Sequence, residues 1–215
     1  MTEMKKKIII YGTHGLGREL EMILYGLTEW DLIGFFDDTI PVGTAIGLKN
    51  LQTLDLEKTL NVSFSNKKIY VAIAVADPKG KKKLFEKLEK FQNVIIPTII
   101  ASTAIISPDA VIGYGTIIGH FCILGPNTKL GKGVLMNSKA AIGHDTVVED
   151  YCTFLTSTNI SGNVTIGSES FFGDQSFVLE KKTIGNNVKV GAGSRVFTNV
   201  PDGWSVFGYP AQRID

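Results

Sequence analysis

The sequence predicts a mixed fold, a small N-terminal α/β domain followed by a parallel β-helix. Over roughly the first hundred residues, short β-branched runs alternate with amphipathic segments. From Ile106 onward a large apolar residue returns at every sixth position without a slip in register. The chain also carries 23 glycines beside 7 prolines, and many of those glycines stand at one fixed place in the six-residue repeat.

Composition bounds the function before any motif does. The chain has 215 residues, 44% of them hydrophobic, enough for a substantial core. Its 22 basic and 21 acidic side chains leave a net charge of +1, which excludes strong global attraction to nucleic acid or to an anionic membrane. No apolar run approaches the roughly 18 residues of a membrane span, and Met1–Ile10 lacks the pattern of a signal peptide. Two cysteines, Cys122 and Cys152, make no disulfide framework. A soluble, cytoplasmic protein without membrane insertion is expected.

Along the chain, Lys5–Gly12 reads as a buried parallel strand. Leu16, Leu20, Ile23, Leu24 and Leu27 then define one face of a helix. Leu32–Phe36 is a second strand, closed by Asp37 and Asp38, and Lys68–Ala76 is a third. Pro78 and Gly80 open a basic helix with Leu84, Leu88 and Phe91 on one side, and Asn93–Ile96 is a last short strand.

The repeat runs through Ile106, Ile112, Ile118, Leu124 and on to Val196, sixteen consecutive positions. A period of six fits neither a helix nor an isolated strand, but it fits a prism whose flat sides each take six residues. The large residue fills the interior. Glycine at the next place is expected to serve the turn, and a small residue four places on to fit the corner. Three sides close a coil of about eighteen residues, giving about five coils and a height of roughly 25 Å at a strand spacing of about 4.8 Å.

These hexads resemble those of the left-handed β-helix acyltransferases. The ending Val200-Pro201-Asp202-Gly203-Trp204, with Gly208-Tyr209-Pro210-Ala211, is similar to the tail that closes many of them. Ile10-Tyr11-Gly12 with its glycine loop, and Gly34-Phe35-Phe36-Asp37-Asp38, resemble one branch, the nucleotide-sugar and sialic-acid acetyltransferases of the PglD/NeuD type. The resemblance covers essentially the whole chain. It implies a Rossmann-like nucleotide-sugar-binding domain over 1–100, a left-handed β-helix acetyltransferase domain over 101–201 and a tail over 202–215. It also implies a homotrimer, with acetyl-CoA lying along the prism between subunits as co-substrate.

Three histidines are present, His14, His120 and His144. His120 and His144 both take the outward third place of a hexad, on different sides of the prism, and cannot pair within one chain. Gly143-His144-Asp145 sets an imidazole beside a carboxylate. Imidazole titrates at about 6.5, near working pH, and a neighbouring carboxylate raises its basicity. The family pattern implies the same roles, His144 as general base and Asp145 as its orienting group. The bland alternative is a decorated, solvent-facing turn.

Coil arithmetic puts Gly162 directly after His144 on the next coil, where the missing side chain leaves room for a slender ligand arm. Asn137, seven residues before the base, belongs to the site by resemblance, against the alternative of a turn-stabilising Asn. Some relatives carry a second His nine residues after the base; Thr153 stands there, with a hydroxyl that can donate to an oxyanion. Gly162, Gly173, Asp174 and Ala192 are implied main-chain contacts for acetyl-CoA. Lys181, Lys182, Lys189 and Arg195 could meet its phosphates. No metal is expected, and the cysteines are expected to pack.

In the N-terminal loop, Gly12, Thr13, His14, Gly15 and Leu16 follow a strand and open a helix, the setting of a phosphate-cradling turn. The glycines fall as G-x-x-G-x-G, not as the dinucleotide fingerprint G-x-G-x-x-G. Asp37 lies within reach of a ribose hydroxyl, with Asp38 beside it. The nucleotide of an activated sugar is the better ligand for this loop than NAD.

The reaction expected is acetyl transfer from acetyl-CoA to the amine of a nucleotide-linked amino sugar, by direct attack, in polysaccharide or glycan biosynthesis. O-acetylation of a sialic acid or related sugar is the alternative. A non-catalytic scaffold or sugar-binding protein is the alternative of another class.

Overall fold

The computed structural model describes residues 5–61 and 68–214; the ends of the expected domains at 1–4 and 215 lie outside these. The first unit closes at Thr98 and the second begins at Ile99. In order, the first contains β1 (Lys6–Tyr11), α1 (Gly15–Tyr25), β2 (Trp30–Phe36), a hairpin of β3 (Ala45–Ile46) and β4 (Leu51–Gln52), α2 (Leu56–Asn61), β5 (Ile69–Ile73), α3 (Pro78–Leu88) and β6 (Val94–Ile95).

Four of these strands form a parallel sheet in the order β2-β1-β5-β6. β1 sits inside it with Ile8, Ile9 and Ile10 fully buried, as its unbroken β-branched run requires. α1 buries Leu20, Ile23 and Leu24, the middle of the expected apolar face. α3 buries Phe85 and Leu88 but ends there, and Phe91 falls in the turn beyond it. The hairpin and α2 have no strong periodicity in sequence. The hairpin is tied down by a buried carboxylate instead: Glu21 of α1 accepts the backbone N–H groups of Leu48 at 2.8 Å and Lys49 at 3.3 Å.

The second unit is a left-handed parallel β-helix of about six coils. Each hexad contributes a two-residue strand, from Ile99–Ile100 to Arg195–Val196. Strands one coil apart pair in parallel, as Ile117 does with Leu135 and Leu135 with Thr153. The register starts one hexad earlier than expected, at Ile100, and Ser205–Gly208 pairs onto Lys189–Val190, so the stack exceeds the five coils counted from Ile106. The chain then turns back, with Ala211–Ile214 antiparallel to Ser205–Gly208. The every-sixth residues from Ile118 to Val196 form one continuous buried column, in which the rings of Phe154 and Phe172 stack 4.9 Å apart.

The hexad glycines serve a different purpose from the one expected. The left-handed backbone falls two residues later, at Phe121 (φ 59°), Asn127 (φ 53°), Asp145 (φ 56°) and their equivalents. What the hexad glycine provides is close approach between coils: a Cβ on Gly125 would lie 2.7 Å from the backbone nitrogen of His144. The small place is also more specific than size alone. Its hydroxyls and thiols donate to a carbonyl of the next coil, as Thr146 does to Ser161 at 3.1 Å and Ser170 to Gly185 at 2.8 Å. No helix among the described residues is long and apolar enough to cross a membrane.

Candidate functional site

One corner of the β-helix gathers the residues that can carry proton-transfer chemistry. His144 and Asp145 follow the strand Ala141–Ile142, and the left-handed backbone at Asp145 (φ 56°) turns its carboxylate back toward the preceding side chain. His144 Nδ1 and Asp145 Oδ2 lie 2.8 Å apart, with side chains 58% and 45% exposed. Asn127, one coil earlier at the same corner, donates its amide Nδ2–H to Asp145 Oδ1 at 2.7 Å. That bond first, and the His144 bond second, hold the Asp145 carboxyl below the usual carboxylate range. An ionised carboxylate only accepts, so in the neutral ring His144 Nδ1 carries the proton and Nε2 the lone pair.

Gly162 lies over the ring. A Cβ built there would be 2.5 Å from Nε2 and 2.6 Å from Cε1 of His144. The space expected to admit a ligand arm is thus occupied by the imidazole itself, and glycine is what lets the ring lie against the next coil.

The other residues assigned to acetyl-CoA are not drawn to this corner within the chain. Asn137, Gly173, Asp174 and Ala192 stand at the opposite edge of the side that His144 closes, stacked at coil intervals. Asn137 Oδ1 accepts the backbone N–H of Ser138 at 2.7 Å, the turn-stabilising role weighed against a ligand contact. Gly173 donates its N–H to Val190 at 2.8 Å, and its carbonyl accepts from Thr158 and Ser176, so its main chain is already engaged. A Cβ there would lie 2.5 Å from Ala192 N, and close approach explains the glycine. Asp174 and Ala192 are exposed.

Thr153 stands apart from His144 within one chain. It lies on another side of the prism, paired between Leu135 and Phe171, where the outward residues Ile117 and Leu135 are buried and Thr153 itself is 0% exposed. Within one chain its hydroxyl is not brought to His144. Arg195 binds the Gln175 carbonyl and sits over the Phe177 ring, and Lys181 lies 4.0 Å from Glu180. His120 Nδ1 pairs with Thr103 Oγ1 at 2.9 Å. Among the described residues no group of three or more His, Cys, Asp or Glu side chains is placed to hold a metal ion.

The N-terminal unit holds a second site, a cavity of about 400 Å³ at the carboxyl ends of β1, β2 and β5. Gly12, His14, Leu16, Asp37 and Asp38 line it, whereas Thr13 and Gly15 do not. Gly12 has φ 111°, and a Cβ would lie 2.6 Å from the Ala74 carbonyl oxygen. Gly17 lets α1 start against that loop, since a Cβ would strike the Gly12 carbonyl. α1 has no acidic residue in its first turn and no side-chain cap, so its first N–H groups remain for an anion.

Asp37 is the clasp of this loop. Oδ2 accepts the Thr13 N–H at 3.0 Å and hydroxyl at 2.6 Å; Oδ1 accepts the Thr39 N–H at 2.8 Å and hydroxyl at 2.6 Å. Partial burial pushes the carboxyl up, but these donors outweigh it and hold it at about 2. Both Asp37 oxygens are doubly bonded, so Asp37 organises the loop, and the buried Thr13 is engaged with it. Asp38 keeps more room: Oδ1 accepts from Tyr11 at 2.8 Å and Lys87 at 3.3 Å, and the side chain is 64% exposed.

Residues 7–88 match the PglD N-terminal domain family. No curated protein sequence matches the chain. Among solved structures, the acetyltransferase domain of PglB from Neisseria gonorrhoeae FA1090 is 25% identical, with a TM-score of 0.89 over 98% of this chain and 100% of that one. The same domain is known in complex with acetyl coenzyme A. A perosamine N-acetyltransferase from Caulobacter crescentus, in complex with CoA and GDP-perosamine, shares the fold at 20% identity and a TM-score of 0.89 over 97% of each chain. WeeI from Acinetobacter baumannii AYE shares it at 24% identity and a TM-score of 0.80, over 98% of this chain and 100% of that one.

Proposed function

We propose that this chain acts as a β-helix sugar acetyltransferase of the PglD/NeuD type, transferring acetyl from acetyl-CoA to the amine of a nucleotide-linked amino sugar. The observation that carries this reading is the His144–Asp145 pair, with Nδ1 fixed on the carboxylate at 2.8 Å and Nε2 left as the base. The substrate amine attacks the thioester carbonyl carbon as Nε2 takes its proton. The C–S bond then breaks, an amide forms, and the imidazolium returns its proton to the departing CoA sulfur. No covalent enzyme intermediate is required.

The choice of substrate rests on two supports. The N-terminal loop offers free helix N–H groups and a carboxylate beside a cavity, chemistry that suits the phosphates and polar edges of a nucleotide. One neighbour of the same fold is crystallised with CoA and a GDP-linked amino sugar. A homotrimer fits the exposed outward residues Ile105 and Ile123 on one side of the prism and Val111 and Val147 on the next, which a second copy would cover.

Incubating the protein with acetyl-CoA and a panel of nucleotide amino sugars, while following CoA release, tests the activity. Base-resistant acetyl on the product identifies an amide, and base-labile acetyl identifies an ester. His144→Ala is expected to fold normally and to lose turnover by a factor on the order of 10² to 10⁴. Near-normal turnover of that variant sinks the assignment.

A further inference from the structure

Asp145 cannot hold the imidazole unless something holds Asp145. It is exposed and stands on left-handed backbone, so with one oxygen on His144 alone its carboxylate could rotate into water. Its second oxygen is anchored by Asn127, one coil below in the stack, at 2.7 Å. The carboxylate is acceptor-only, so the amide must present its nitrogen, not its oxygen. Asn127 is itself anchored from beneath: its backbone N–H donates to Asp109 Oδ2 at 3.0 Å, and Asp109 Oδ1 accepts from Ser107 at 2.6 Å. A ladder of side chains therefore climbs the corner through Ser107, Asp109, Asn127 and Asp145 to His144 Nδ1, and ends on the ring whose other nitrogen takes the proton. Left-handed backbone favours Asn, as at Asn163 and Asn187, but does not demand it, since equivalent places hold Phe121, Lys139 and Gln175.

From this geometry we infer that Asn127 is a positioning residue of the transfer reaction, clamping Asp145 so that its other oxygen faces His144 Nδ1. The inference rests on the reading of His144 as the base. Asn127 touches no substrate and acts only through Asp145. The charged groups that bear on Asp145 are His144 on its own turn and Asp109 two coils below it, whereas Glu180 and Lys181, two coils above at the same corner, lie 4.0 Å from each other. A neutral donor between Asp109 and Asp145 separates two carboxylates that would otherwise repel.

Two variants test the role without straining the turn. Asn127→Gly suits left-handed backbone and keeps the N–H that Asp109 accepts, but removes the amide. Asn127→Asp keeps the shape and replaces the donor by an acceptor. Asn127→Gly is expected to lower kcat by about 3- to 10-fold, the worth of one hydrogen bond, with KM for acetyl-CoA and Tm unchanged. Asn127→Asp is expected to lower kcat further, and to move the acid limb of the kcat profile to higher pH and steepen it, because two facing carboxylates share a proton.

A fall in kcat accompanied by a lower Tm and an unmoved acid limb would reveal a merely structural residue and overturn the inference. So would unchanged kcat and profile in both variants beside an inactive His144→Ala. A fully active His144→Ala removes the base itself, and overturns both this role and the reading beneath it.

Discussion

The imidazole of His144 lies against Gly162, one coil further along the same corner, so closely that a Cβ at Gly162 would fall 2.5 Å from Nε2. Gly162→Ala is therefore expected to push the ring off its carboxylate. Its backbone has no left-handed φ, so alanine is tolerated conformationally and the effect falls on the ring. Turnover should drop by about 10- to 100-fold, the cost of misplacing a reacting group by about 1 Å, while Tm holds within a few degrees. Wild-type turnover in this variant would mean that the ring does not react from the position it occupies.

Asp145→Asn is the complementary change. Asparagine accepts left-handed backbone, so folding is expected to be preserved. An amide facing Nδ1 can favour the wrong tautomer, and turnover at neutral pH should fall by about 10² or more. Because the Asp145 carboxyl is held below the usual range, its support of the imidazole is present above the ordinary carboxylate pKa and is lost only as pH falls through the lowered one. The wild-type kcat profile should then show no separate Asp145 step between neutral pH and the ordinary carboxylate range. A step inside that range would contradict the clamped geometry.

Much of this was legible in the sequence, because a period of six leaves little choice. Once each apolar residue is assigned to the interior, every residue eighteen positions on is its neighbour, and Gly162 follows from His144 by counting. The same count backwards from Asp145 reaches Asn127, so that signal too is present in the sequence. The role of the hexad glycine was not legible, since composition does not distinguish a residue that turns the chain from one that lets two coils approach. The structure decides that by placing the positive φ at Asp145 and its equivalents. Nine residues from His144 carry the chain past one side of the prism and onto the next, so Thr153 lies on a different side within one chain. In the N-terminal unit, spacing put Asp37 near a ligand, but spacing cannot show that Thr13 and Thr39 had already filled both its oxygens.

That clasp has a pH signature. The Asp37 carboxyl is lowered from 3.8 to about 2, so its stabilising contribution is fully present above about pH 4 and disappears as pH falls through about 2. In a carboxyl-resolved NMR titration, Asp37 should have its midpoint near 2, with the Thr13 and Thr39 amide resonances moving along the same curve. Asp37→Asn should remove that titration and weaken nucleotide binding through a loosened loop. A midpoint at the ordinary value would show that the four donors do not bind the carboxylate in solution.

The cysteines test whether the transfer is direct. Burial pushes the Cys122 thiol up to about 11, and its Sγ–H donates to the Asn137 carbonyl at 3.1 Å. The thiolate is the nucleophile, so near pH 8 Cys122 has only about one part in a thousand in reactive form, inside the wall of the prism. Cys152 is buried in the same way, with its thiol on the Gly167 carbonyl at 3.1 Å. Both are expected to resist thiol reagents in the native protein and to react at the rate of unfolding. Cys122→Ser keeps a small donor at a place where Ser170 and Ser176 already serve, so that variant should retain turnover within about twofold and lose little stability. Intact mass measured after incubation with acetyl-CoA alone should show no acetylated protein. Stable acetylation of either cysteine, with loss of turnover in the matching serine variant, would replace direct attack with a covalent route.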